Sequence, residues 1–91
     1  MNIGRIIGTT VATRKDETLS GKKLMILQPL SMEYKETDEP LIAVDTVGAG
    51  IGEIVIYAKG SAARNAAKNR DAAIDAAIVG IVDHIDLMKK D

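Results

Sequence analysis

The run Lys22-Lys23-Leu24-Met25-Ile26-Leu27-Gln28-Pro29-Leu30 is too apolar for a strand with one face in water. Successive side chains of a strand point to opposite faces, so Leu24 and Ile26 lie on one side and Met25 and Leu27 on the other. Both faces want cover. The same holds for Leu41-Ile42-Ala43-Val44-Asp45, for Glu53-Ile54-Val55-Ile56-Tyr57-Ala58 and for Ile78-Val79-Gly80-Ile81-Val82-Asp83-His84-Ile85. A further strand is read over Ile3 to Thr13, where Ile3, Ile6, Ile7, Thr9, Thr10, Val11 and Thr13 are β-branched and stiff at χ1.

Between these runs the punctuation is clear. Arg14-Lys15-Asp16-Glu17 reads as a charged loop, Ser20-Gly21 as a turn, and the mostly polar stretch from Ser31 to Pro40 as a loop, with Pro29 helping to end the second strand. Ser61 is placed to cap a short helix from Ala62 to about Asn69, and Asp71 to cap a further turn through Ala77. Lys89-Lys90-Asp91 reads as a frayed tail. In α/β proteins helices cover both faces of a sheet, but one or two short Ala-rich turns cannot shield five strands. A small closed barrel resolves this by burying one face inside, while neighbouring subunits bury part of the outside. A monomer with a few exposed aliphatic residues is the other solution.

Composition narrows the function. The chain has 91 residues, read as one domain over 1–91, and a chain this short buries only about 60 to 65% of the surface it exposes when unfolded. With no cysteine and one histidine, neither a disulfide nor a thiolate or zinc site is expected. Twelve Lys+Arg against thirteen Asp+Glu give a net charge of -1, which argues against a surface that grips polyanions by counterion release. Tyr34 and Tyr57 are the only aromatic residues, so stacking platforms for single-stranded nucleic acid are scarce. Every apolar run is broken well short of the roughly 20 residues of a membrane span. Met1-Asn2-Ile3-Gly4-Arg5-Ile6-Ile7 carries its basic residue inside the apolar run and does not read as a signal peptide. A cytoplasmic protein with no cofactor, no nucleic acid and no membrane partner is expected.

Gly48-Ala49-Gly50-Ile51-Gly52 has the spacing G-x-G-x-G and is followed by a strand-like run, whereas a dinucleotide fingerprint opens a helix onto the pyrophosphate. A tight turn in which glycine permits positive φ and the close approach of another chain accounts for it better. Asp45 and Glu53 bracket this loop. As two carboxylates they suggest an acid and base pair or a cation site, but fixing the loop through its backbone amides needs no further ligands and is the preferred reading. Lys22-Lys23 after Gly21 lacks the upstream glycine of a Walker A loop. His84, between Asp83 and Asp86, pairs with no recognisable nucleophile and reads as a solvated edge. Arg64, Lys68 and Arg70 either pair with a neighbour or face water. No catalytic constellation emerges.

Taken in order, Gly8-Thr9-Thr10-Val11, Leu19-Ser20-Gly21-Lys22-Lys23-Leu24, the nine residues from Asp45 to Glu53, Gly60-Ser61-Ala62-Ala63-Arg64 and Ile78-Val79-Gly80-Ile81-Val82-Asp83 resemble the vertex proteins of bacterial microcompartments, the EutN/CcmL type. The resemblance covers nearly the whole chain; Ile54 departs from it, standing where many members carry tryptophan after the glutamate. It implies a mainly β fold, a five-stranded OB-like closed barrel with one or two short helices, assembled as a pentamer with a narrow axial pore and docked among hexameric shell proteins in the cytoplasm. Such a protein is structural and not an enzyme. On this reading Asp45, Gly48, Ala49, Gly50, Gly52 and Glu53 form interface or near-axis structure, and Ser61 and Arg64 make contacts between subunits. The rival reading is an OB-like module binding a small ligand or an oligonucleotide. A hexamer of the same barrel is a variant of the first, since a small change of interface angle changes ring size.

Overall fold

A computed structural model describes residues 1–10, 17–19, 21–68 and 74–88. The described elements run β1 (Asn2–Thr9), a 3-10 turn (Glu17–Leu19), β2 (Lys23–Leu30), β3 (Leu41–Asp45), β4 (Ile54–Lys59), α1 (Gly60–Ala66) and β5 (Ala76–Val82). The strands close into a barrel in the order β1-β2-β3-β5-β4, with β4 returning to β1. The neighbouring pairs are antiparallel except β3 with β5, which run parallel and share only Val44↔Ala77 and Asp45↔Ile78. The expected mainly β, five-stranded closed barrel is the fold observed, with one short α-helix and one 3-10 turn.

Alternation along the strands sorts the aliphatic residues onto two sides of the wall, as the period of two requires. Ile6, Met25, Leu27, Ala43, Val55, Tyr57, Ala76 and Ile78 form the core within the barrel. On the outer side Val44 and Ala77 pack with Ala63 of α1 and with Ile74, flanked by Leu24 and Leu19. Ala63 is fully buried; its single methyl lets the helix sit close against the sheet. At Gly4 the two strands crowd each other, since a Cβ there would stand 2.5 Å from Leu27 Cδ2 and 2.7 Å from the Gln28 carbonyl oxygen. Gln28 is buried, and its Nε2 donates to the carbonyls of Pro29 (3.0 Å) and Asp38 (2.8 Å), tying the 31–40 loop to the wall.

Several boundaries differ from the sequence expectations. The first strand ends at Thr9, with residues 11–13 outside the described set, and Glu17 belongs to the 3-10 turn instead of a charged loop. The helix begins at Gly60, not Ala62, and Ser61 makes no capping bond; the cap position is Lys59, still extended at φ -124, ψ 163. Gly60, at φ +61, turns the chain from strand to helix in one residue, which leaves Ser61 inside the first turn and not before it. The helix closes at Ala66, ahead of the left-handed Lys68 (φ 61). Ala76 and Ala77 stand in β5 and not in a helical turn capped by Asp71, which itself lies outside the described residues. Their small side chains suit two crowded sites, inside the barrel and beneath α1, and tertiary packing overrides alanine's helix preference. β5 stops at Val82, paired with Ile54 where β4 begins, so His84 and Ile85 have no strand beside them. The Lys89 to Asp91 tail is also outside the described residues.

Candidate functional site

The glycine loop is held from both ends by the acids that bracket it. Asp45 closes β3, and its Oδ1 accepts from the amides of Val47 (3.0 Å) and Gly48 (3.1 Å) while its Oδ2 accepts from Ala49 (2.9 Å). Glu53 Oε1 accepts from the Gly50 amide, and the Glu53 amide donates to the Gly50 carbonyl at 3.2 Å. Charge-assisted bonds of this type are stronger than neutral ones. Both acids therefore fix the loop through its amides, as the sequence suggested. Thr46 adds a clamp to β5, its amide and hydroxyl both donating to the Ile78 carbonyl, at 3.3 and 2.6 Å. The far end joins β1 through Gly52 N to Ile6 O (2.8 Å) and Ile6 N to Glu53 O (3.0 Å).

Gly48 and Gly52 sit in the left-handed region, at φ 78 and 91. Any other residue there would be strained by roughly 1–2 kcal/mol. Among the described residues, beyond the adjoining ones in the chain, no atom lies within 4 Å of a Cβ built at either position, so the requirement seen in one subunit is conformational. Ala49 is turned inward, its methyl part of the barrel core, while Val47 and Ile51 face outward, Ile51 at 67% exposed. The loop is thus a plug on its inner side and an apolar knob on its outer side.

Six of the eight anticipated residues, Asp45, Gly48, Ala49, Gly50, Gly52 and Glu53, come together in this loop; Ser61 and Arg64 lie on α1 instead. Ser61 is exposed. Arg64 is engaged within the chain, its Nη1 donating to the Ile74 carbonyl at 3.2 Å. His84 Nε2 and Asp86 Oδ2 stand 3.3 Å apart with both side chains in solvent, in keeping with the solvated reading. Two features escaped the sequence. One is the bare outer stripe, in which Ile42, at 58% exposed, pairs with Ile26, and Ile26 leans over Gly8. The other is the strand crossing at Gly4, for which glycine inside an apolar run was the available signal.

Among the described residues no cluster of three or more His, Cys, Asp or Glu side chains is arranged to hold a metal ion, and no helix is long and apolar enough to cross a membrane. The Tyr57 phenol is raised above its ordinary 10.0 by burial in the barrel and, less strongly, by the Asp38 carboxylate. A neutral phenol among aliphatic side chains is a packing element. The arrangement as a whole offers a pinned, partly apolar surface.

Residues 1–83 match the family described as "Ethanolamine utilisation protein EutN/carboxysome". The bacterial microcompartment shell vertex protein GrpN of Rhodospirillum rubrum is 46% identical over 86 residues, covering 94% of this chain and 97% of that protein. The carboxysome shell vertex protein CcmL of Thermosynechococcus vestitus is 42% identical over 85 residues, covering 93% and 86%. Among solved structures, the GrpN pentameric microcompartment shell protein from Rhodospirillum rubrum superposes with a TM-score of 0.87 at 45% identity, covering 97% of this chain and all of that one. With the barrel order and the doubly pinned glycine loop already in place, the sequence match over residues 1–83 leads to one conclusion: the chain belongs to the EutN/CcmL family.

Proposed function

We propose that the chain is a structural shell protein, one domain over residues 1–91, that assembles as a pentamer and caps the vertices of a bacterial microcompartment in the cytoplasm. The observation that carries this reading is the 45% identical relative described as a pentameric microcompartment shell protein, matched along its entire length. The surface of the single subunit agrees with it. The isolated chain exposes 6201 Å², against roughly 5,100 Å² expected of a stable 9.7 kDa monomer. Much of what is uncovered is aliphatic: Ile7, Ile42, Val47 and Ile51. A five-membered ring has heterologous interfaces, in which one patch meets a different patch of the next subunit, and it closes because the rotation completes a circle. The knob of Val47 and Ile51 and the bare stripe of Ile42 and Ile26 are two such patches.

In this role Asp45, Gly48, Gly50, Gly52 and Glu53 act indirectly, by holding the knob in one shape so that no ordering entropy is lost on assembly. Ala49 anchors the knob to the barrel core. Ser61 and Arg64 border the ring contact from α1. Flat facets of six-membered rings need five-membered units at their corners to close, and the partners of this pentamer are hexameric shell proteins. The work done is geometric, with no bond made or broken.

The rival reading, a ligand- or oligonucleotide-binding barrel, has less support: Tyr57 is enclosed in the core and Tyr34 is the only aromatic residue with an accessible ring. Native mass spectrometry tests the proposal. Five subunits are expected, and a monomer at micromolar concentration refutes it. Co-expression with a hexameric shell protein then gives closed particles by electron microscopy, and open sheets or tubes when this chain is withheld.

A further inference from the structure

A groove of about 660 Å³ lies where β2 begins, β3 ends and α1 ends. Its rim carries Lys22, Lys23 and Lys68, and its wall includes Val44, Ala66 and Ala67. Asp45 also borders it, but both of its carboxylate oxygens are engaged by loop amides. Lys22 donates to the Thr18 carbonyl, a neutral acceptor, at 2.9 Å. Among the described residues the one contact between a basic and an acidic side chain is His84 with Asp86, so none of the three lysines is paired with a described carboxylate. The groove is cationic at its rim and aliphatic within.

The segment after β5, Asp83-His84-Ile85-Asp86-Leu87-Met88, has the complementary character. It has no regular structure, places Asp83 and Asp86 in solvent, and leaves Leu87 57% and Met88 95% exposed. Its residues 84–88 lie beyond the family match, which ends at residue 83. The groove sits where β5 starts, beside the Val44↔Ala77 pair, and the segment departs where β5 ends, beside Ile54↔Val82. A seven-residue strand separates the two by about 23 Å, and no residue of the segment lines the groove of its own chain.

We infer that the 83–88 segment of one subunit docks in the lysine-rimmed groove of the next, its carboxylates meeting Lys23 and Lys68 and its Leu87 covering Ala66 and Ala67. This rests on the pentamer reading, which supplies the second copy. Exposed ion pairs contribute little individually, so the docked segment acts chiefly to set the angle between neighbours, and its apolar contact supplies the hold.

The cysteine-free chain makes the test direct. In the full chain, Leu87→Cys combined with Ala67→Cys is oxidised mildly and run without reductant, in parallel with native mass spectrometry. A covalent ladder rising to five subunits is expected. A pentamer with no disulfide between chains, or with a disulfide closed inside one chain, overturns the docking and leaves the pentamer standing; a monomer overturns both. Should Ala67→Cys fail to fold, Leu87→Cys with Lys23→Cys replaces it. Charge reversal sharpens the assignment: Asp83→Lys with Asp86→Lys lowers the cross-linking yield of the Ala67 pair at least about fivefold at low salt, and adding Lys23→Glu with Lys68→Glu restores it. A yield that ignores both changes overturns the pairing.

Discussion

The inner and outer sides of the barrel wall are built from alternate residues of the same strands, yet they are finished differently. Met25 and Leu27 look inward and are sealed, together with Ile6, Val55 and Ile78. Leu24 and Ile26, one step along the same strand, look outward; Leu24 lies beside the helix-covered patch of Val44, Ala63 and Ala77, whereas Ile26 is shared with the bare Ile42. The inside is complete within one chain. The outside is covered only beneath α1, and its remainder, with Ile42 bare beside Ile26, is the surface proposed above to meet a neighbouring subunit. Core residues should therefore govern whether the chain folds, and outer residues whether it assembles.

That division can be broken by experiment. Leu27→Ala, which empties a fully buried site, is expected to lower folding stability by about 3–4 kcal/mol, measured by urea unfolding at fixed protomer concentration because ring formation contributes to apparent stability. A loss below about 1 kcal/mol would mean that the barrel's interior is not its main support. Asp45→Ala strips three amides of their acceptor and is expected to lower stability by about 2 kcal/mol, with Asp45→Asn recovering part of it. Alkali probes the interior more gently. The Tyr57 phenol is raised above 10.0 in the folded barrel, so its contribution is fully present below that value and is lost as pH climbs through the raised one. The unfolding midpoint should fall steeply above pH 10 in the parent protein and less in Tyr57→Phe. Ile42→Lys is the smallest change to folding, under about 0.5 kcal/mol, yet it should convert the ring to monomers by native mass spectrometry. A ring that survives Ile42→Lys would remove the bare stripe from the interface.

Most of the wall could be read from the residues because a strand records its own faces. Leu24 to Leu27, Leu41 to Val44 and Ile54 to Tyr57 are apolar on both sides, and two-sided burial within a short chain already asks for closure. The carboxylates of Asp45 and Glu53 were legible for a similar reason, since acids flanking a glycine run have free amides within reach. What failed was local preference set against distant packing. Ala76 and Ala77 look helical and become strand, because the barrel and α1 each need a small side chain there. Ser61 looks like a cap and is not one, because Gly60 turns the chain a residue earlier. The groove joins Lys22 and Lys23 to Lys68 across three elements, and nothing in their spacing announces it.

The pairing of β3 with β5 has a consequence for how the barrel opens. Four of the five seams in the barrel are antiparallel ladders of four or more register pairs, whereas this one has two, reinforced by Thr46 on a carbonyl 32 residues away. With only two register pairs, this seam returns the fewest hydrogen bonds for the loop-closure entropy of joining its strands. The barrel therefore opens first at this seam, so amide exchange should reach Thr46 before the β1 and β2 pairs. The glycine loop that begins at the same residue is then both latch and knob: with the ring contact proposed above, a subunit whose barrel has opened there loses the surface its neighbour would meet, and unfinished subunits are kept out of the ring.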